Sequence, residues 1–137
     1  MRTSARNELS GKITEIKSGG VMSEVVIKVS DEISVCATIT NDAKESLSLN
    51  VGGEISAIIK SSLVILSKEK VSASARNNIK TVVVDVTKGA VNSTVKLKIA
   101  DKNLCAIVTN NAIEDLQIKK NDSVYAIFKA SSVILVA

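Results

Sequence analysis

The sequence predicts an all-β protein made of two tandem, OB-like five-stranded small barrels, each with one short helix. Three observations lead there: an internal repeat, a period-2 alternation of apolar residues within each copy, and one helical interruption between the third and fourth strand-like runs. The chain has 137 residues, enough for one ordinary domain or two very small ones.

The repeat comes first. Ser4-Ala5-Arg6-Asn7 recurs as Ser74-Ala75-Arg76-Asn77, an offset of 70 that holds through Asp31 and Asp101. It then falls to 69, so that Cys36 matches Cys105, Thr40 matches Thr109, Lys60 matches Lys129 and Val64-Ile65-Leu66 matches Val133-Ile134-Leu135. About two dozen of roughly 63 aligned positions are identical, far above chance for a self-comparison. One residue is lost in the turn after Asp101, where a hairpin loop tolerates it. The domains are expected at 1–67 and 72–137, with a short join from Ser67 to Ala73.

Within the copies, Val21, Ser23, Val25, Ile27 and Val29 alternate with more polar neighbours, as do Val91, Ser93, Val95, Leu97 and Ile99. That is the signature of a half-buried strand. Val82, Val84 and Val86 mark the preceding strand; Ile33, Val35, Ala37 and Ile39 mark the following one. The segments 41–49 and 110–118 switch to helical spacing, with Ala43 and Leu47, or Ala112 and Leu116, on one face. Asp42 with Glu45, and Asn111 with Glu114, resemble a capping box. Gly52-Gly53 and Asn121-Asp122 read as turns. Each copy is expected to close with two short strands, over 54–60 and 63–66 and over 123–129 and 132–136.

Composition excludes several classes. The chain is 45% hydrophobic and 23% charged, which suits a folded core rather than a disordered chain. Tyr125 and Phe128 are its only aromatic rings. Cores of Val, Ile, Leu and Ala in such small units are marginal alone and gain from association. No stretch approaches a membrane span, so a cytoplasmic protein with no membrane partner is expected. The net charge of +4 is too dispersed for a nucleic-acid tail. There is no histidine, and Cys36 and Cys105 lack metal-ligand spacing; buried free thiols are expected, with no metal bound directly by side chains. Nor is there a nucleophile beside a base or a phosphate-cradling glycine loop, so the chain is not expected to be an enzyme.

The repeated polar residues are mostly donors. Ser4, Arg6 and Asn7 precede the first strand, Thr40 stands where the third strand meets the helix, and Lys60-Ser61-Ser62 lies between the fourth and fifth strands. The second copy offers Ser74, Arg76 and Asn77, then Thr109, then Lys129-Ala130-Ser131. Hydroxyl, amide and cationic donors converging on a point suit a tetrahedral oxyanion. A dianion without a proton at neutral pH needs no acceptor, whereas partly protonated phosphate favours one. The structural alternative is that these residues cap turns and sit in solvent.

Together, Thr3-Ser4-Ala5-Arg6-Asn7, Lys88-Gly89-Ala90-Val91-Asn92-Ser93 and Lys129-Ala130-Ser131 resemble the molybdate-binding Mop domain. The whole chain resembles a tandem, di-Mop molbindin. The resemblance implies molybdate or tungstate as the bound ligand, an OB-like fold and a homotrimer of two-domain chains. It also implies anion sites at domain interfaces and on the threefold axis. The same domain occurs fused to a helix-turn-helix regulator and to importer ATPases. This sequence starts at Met1 on the motif, which implies a free-standing storage or buffering protein serving molybdenum homeostasis. By position, interface sites would use Ser4, Ala5, Arg6 and Thr40 with Lys60 and Ser61 of an adjoining domain. The second set would be Ser74, Ala75, Arg76, Thr109, Lys129 and Ala130. An axial site would use Lys88, Gly89 and Asn92; the first copy carries Met22 where Asn92 stands, so a single axial site is expected, at the second-copy end. The competing functions are a single-stranded nucleic-acid-binding OB protein and an interaction module without sites. Two aromatic rings provide little stacking surface for the former.

Overall fold

The computed structural model describes residues 3–137. The first copy runs β1 (Asn7–Ser18), β2 (Met22–Lys28), β3 (Ser34–Thr40), α1 (Asn41–Ser46), β4 (Glu54–Ile59), a 3-10 turn (Ser61–Leu63) and β5 (Ile65–Ser67). The second repeats it as β6 (Asn77–Lys88), β7 (Asn92–Ile99), β8 (Lys102–Thr109), α2 (Asn110–Leu116), β9 (Ser123–Phe128), a 3-10 turn (Ala130–Ser132) and β10 (Ile134–Val136). The predicted all-β class and the single helix per copy are both present.

The two sheets are antiparallel and five-stranded, in the orders β10-β4-β1-β2-β3 and β5-β9-β6-β7-β8. The last strand of each copy therefore completes the other copy's sheet. Ile134 pairs with Ile58, and Ile65 pairs with Ile127. This corrects the expectation that each copy closes on itself. The 3-10 turn after β4 carries the chain off its own sheet and across to its neighbour. Val64, Leu66, Val133 and Leu135 are buried on the way, in one core cluster that also holds Leu9, Val25, Val95 and Phe128. Burying apolar surface in a shared core offsets the smallness of each copy.

β1 and β6 are long enough to pair with two neighbours, and each carries an irregularity, between Ile13 and Glu15 and between Val83 and Asp85. Such bulges bend a strand and increase its twist, which curls the sheet. In the first copy a Cβ on Gly11 would lie 2.2 Å from the Lys28 carbonyl oxygen, so only glycine fits there. Thr81 takes the equivalent position and donates to the Val124 carbonyl at 3.0 Å. The lost residue falls in the β7–β8 hairpin, where Ile99 pairs with Lys102 and Ala100 is left-handed at φ 53°.

The free edges of β3 and β8 are sealed by side chains from the opposite copy. Asn77 Nδ2 donates to the Cys36 carbonyl at 2.8 Å, and the Cys36 N–H donates back to Asn77 Oδ1 at 2.8 Å. Asn7 does the same to Cys105, at 2.8 and 2.6 Å. A side-chain amide carries one peptide's worth of donor and acceptor, so it pairs as a further strand would and blunts the edge.

The helix N-caps fall two positions earlier than the capping-box reading implied. Thr40 and Thr109 are the N-caps, each accepting from the N–H three residues on, of Ala43 and Ala112, at 3.1 Å. Asp42 and Asn111 lie inside the first turn. A threonine oxygen at the end of an extended strand reaches that N–H without distorting the helix.

Candidate functional site

The turn before each long hairpin strand is fixed to the helix by one asparagine. The Asn110 N–H donates to Val91 O and its Nδ2 to Gly89 O, both at 2.9 Å, while its Oδ1 accepts from Ser93 Oγ. Asn41 holds Val21, Gly19 and Ser23 in the same way. Gly89 is required by the close return of the chain: a Cβ there would lie 2.6 Å from the Asn92 carbonyl oxygen. Asn92, or Met22 in the first copy, is thereby placed at the start of its strand, opposite Thr109 or Thr40. Because each threonine oxygen accepts from the helix, its hydroxyl proton remains available to donate outward.

Across the copies, the 3-10 turn Ser61–Leu63 packs on β8, and Ala130–Ser132 packs on β3. A recess of about 390 Å³ lies under the first of these turns. Ser62, Asn92 and Thr109 supply its polar lining; Val64, Ile107 and Ala112 belong to its apolar wall. Asn7 pairs with Ile59, so Arg6 and Lys60 leave that ladder side by side. Ser61, next in the chain, is 5% exposed and its hydroxyl has no hydrogen-bond partner.

The two arginines differ. Arg6 Nη1 lies 3.4 Å from Thr94 Oγ1 and 3.8 Å from Cys105 Sγ, with no carboxylate in contact. Arg76 Nη1 is bound to Glu24 Oε2 at 2.6 Å. That hydrogen bond holds the Glu24 carboxyl below its ordinary value and raises the Arg76 guanidinium. Burial, then the Glu24 charge, pushes the Cys36 thiol up, so it is inert as a thiolate. Cys36 is buried and Cys105 half-buried; both are free thiols.

The predicted site residues distribute as follows. Ser4 and Ser74 are exposed in the segments entering β1 and β6; Ala5 and Ala75 are half-buried beside them. Thr40, Thr109, Lys60 and Lys129 are exposed, and Ala130 is buried. Thr40 does not meet Lys60 and Ser61 within the chain. Thr40 ends β3, under the turn that follows Lys129, whereas Lys60 and Ser61 join Arg6 above β8 and Thr109. Asn92, expected apart on an axis, shares the recess of Ser62 and Thr109. Lys88 is exposed, 3.6 Å from Glu114. Asn7 and Asn77, read as ligand donors, are fully engaged in the edge pairing and buried at 0% and 2% exposure. Sequence reasoning missed Asn41, Asn110 and Glu24. The first two were detectable, being identical at the offset of 69. A larger cleft of about 1040 Å³ between the hairpin tips contains none of the predicted residues, and its charges are mixed, with Asp31 and Glu32 beside Lys80, Lys98 and Lys102. Among the described residues no His, Cys, Asp or Glu cluster could hold a metal ion, and no helix is long and apolar enough to cross a membrane.

Fold and site together define a tandem OB-like protein whose candidate ligand sites lie between its two copies. The chain belongs to the TOBE domain family, which matches residues 3–66 and again 73–135. It is 37% identical over 137 residues to the molybdenum transport protein ModE of Azotobacter vinelandii, covering 98% of this chain and 51% of that protein. It is 34% identical over 138 residues to the molybdenum-pterin-binding protein MopA of Rhodobacter capsulatus, covering 98% and 52%. The chain thus spans about half the length of these curated relatives. Among solved structures, the cytoplasmic molybdate-binding protein ModG, crystallised with molybdate bound, superposes with a TM-score of 0.94 at 34% identity over 98% of both chains.

Proposed function

We propose that this protein binds molybdate or tungstate in recesses between its two copies and acts in the cytoplasm in molybdenum storage or buffering. The observation that carries this is the buried, unpartnered hydroxyl of Ser61, flanked by Lys60 and by Ser62 at the recess wall. A buried hydroxyl left without a partner costs about 1–3 kcal/mol, and an anion oxygen would settle it. Arg6 and Lys60 supply charge, while Thr109 and Asn92 supply donors. The polar groups lining this recess include no carboxylate, which favours an unprotonated dianion over hydrogen phosphate. The similarity to ModG supports the same ligand class.

Calorimetric titration with molybdate, tungstate, sulfate and phosphate tests this reading. Molybdate and tungstate are expected to bind well ahead of phosphate, with the smaller sulfate weaker. Equal binding of phosphate would count against a site without acceptors. We further propose assembly as a trimer, which would bring Lys88, Gly89 and Asn92 of three chains together around an axis. Light scattering behind a sizing column checks it, and a monomer at micromolar concentration would overturn it.

A further inference from the structure

Position 24 in the first copy is position 94 in the second, and the residues there are Glu and Thr. Each stands on its sheet where the arginine of the opposite copy arrives. Arg76 meets the Glu24 carboxylate at 2.6 Å; Arg6 meets only the Thr94 hydroxyl, at 3.4 Å, and the Cys105 sulfur.

We propose that Glu24 makes the two cross-copy surfaces unequal anion sites, occupying Arg76 in one as an internal competitor while Arg6 stays free in the other. This rests on the oxyanion reading given above. An anion entering over β2 and β3 must either separate Arg76 from Glu24 or settle beside a pair whose charges already cancel, with a like charge close by. An anion entering over β7 and β8 meets an uncompensated guanidinium.

Two further differences between the copies act in the same direction. Ala130 stands where Ser61 supplies a buried hydroxyl, and Met22 stands where Asn92 supplies an amide. A methyl group donates nothing, and a thioether sulfur is a weak acceptor that cannot donate. The surface over β2 and β3 therefore lacks a hydroxyl, an amide and a free cation that the surface over β7 and β8 has, while keeping Thr40 and Lys129. Losing a charge-assisted hydrogen bond ordinarily weakens binding by about tenfold or more, so Glu24 alone separates the two sites measurably.

The test is titration of the full chain with tungstate, comparing the unmodified protein with Glu24→Thr, Glu24→Gln and Thr94→Glu. The unmodified chain should show two affinity classes. Glu24→Thr and Glu24→Gln should each strengthen the weaker class by about tenfold and leave the stronger unchanged. Thr94→Glu should weaken the stronger class instead. Glu24 is half-buried at the surface, and thermal melts check that each variant folds; should Thr94→Glu fail to fold, the two Glu24 variants decide alone. Affinity classes unmoved by either Glu24 variant would overturn the inference while leaving the oxyanion reading in place. Absence of tungstate binding by the unmodified chain and by every variant would overturn the oxyanion reading itself.

Discussion

Strand β2 opens with Met22-Ser23-Glu24 and strand β7 with Asn92-Ser93-Thr94, at matching places in the two copies. The residues that fix backbone geometry are the same in both copies: Asn7 and Asn77 at the sheet edges, Asn41 and Asn110 at the turns, Thr40 and Thr109 at the caps. Around the cross-copy turns Thr40 and Lys60 match Thr109 and Lys129, while Met22, Glu24 and Ser61 differ from Asn92, Thr94 and Ala130. The lysine at the turn–helix junction has even changed sides. In the first copy Lys44 on the helix reaches back to Ser18 at 2.8 Å, and in the second Lys88 on the strand reaches Glu114 at 3.6 Å. Both junctions hold a positive group, but only the second is paired with a carboxylate. A shared scaffold thus presents two different electrostatic surfaces.

The largest expected difference between the copies is in stability. Asn77→Ala removes both partners of the Cys36 peptide, which is 7% exposed at its residue, and should cost about 3 kcal/mol in urea unfolding. Asn7→Ala frees the Cys105 peptide, which is half-buried and can turn to water, so its cost should be smaller. Equal costs would show that the two edges are equally closed to solvent.

Next comes ligand affinity. Lys129→Ala should weaken molybdate binding by about 1.5–3 kcal/mol, whereas Lys98→Ala, on the polar face of an alternating strand, should change it little. Indistinguishable calorimetric affinities would remove Lys129 from the site.

Ala100→Gly should stabilise the second hairpin by about 1 kcal/mol, because a non-glycine residue at φ 53° carries a steric cost that glycine escapes. The first hairpin, one residue longer, has no such left-handed residue among those with positive φ. A melting temperature that does not rise would show that the flanking strands already absorb that strain.

The smallest effect is the acid dependence of the Glu24–Arg76 pair. The folded-state value of Glu24 is depressed, so the pair's contribution is fully present above the ordinary glutamate value and disappears as pH falls through the depressed one. Both side chains are partly exposed, at 29% and 55%, so solvent screening keeps the contribution small. The unmodified chain and Glu24→Gln should differ in urea midpoint at neutral pH and converge in acid. A difference that persisted in acid would assign the contact to packing rather than charge.

Much of this was legible in the sequence. The offset of 70 and then 69 marked the two copies and even the shortened hairpin, and the alternation from Val91 to Ile99 matches β7. The strand exchange was not legible, because Ile65–Ser67 shows the same alternation whichever sheet it completes. Asn7 and Asn77 were misread because an amide that would bind an oxyanion is chemically the same as one that closes a sheet edge. Glu24 escaped notice because its importance depends on Arg76, 52 residues away in sequence.

The exchange of β5 and β10 also bears on the order in which the molecule can be assembled during synthesis. The first copy's sheet stays incomplete until Ile134–Val136, at the far end of the second copy, reach Ile58 and its neighbours. The nascent first copy therefore has an open strand edge while the whole second copy is being made, the condition in which chains most readily pair with the wrong neighbour. Removing Ile134–Val136 would therefore damage the half of the protein that was made first.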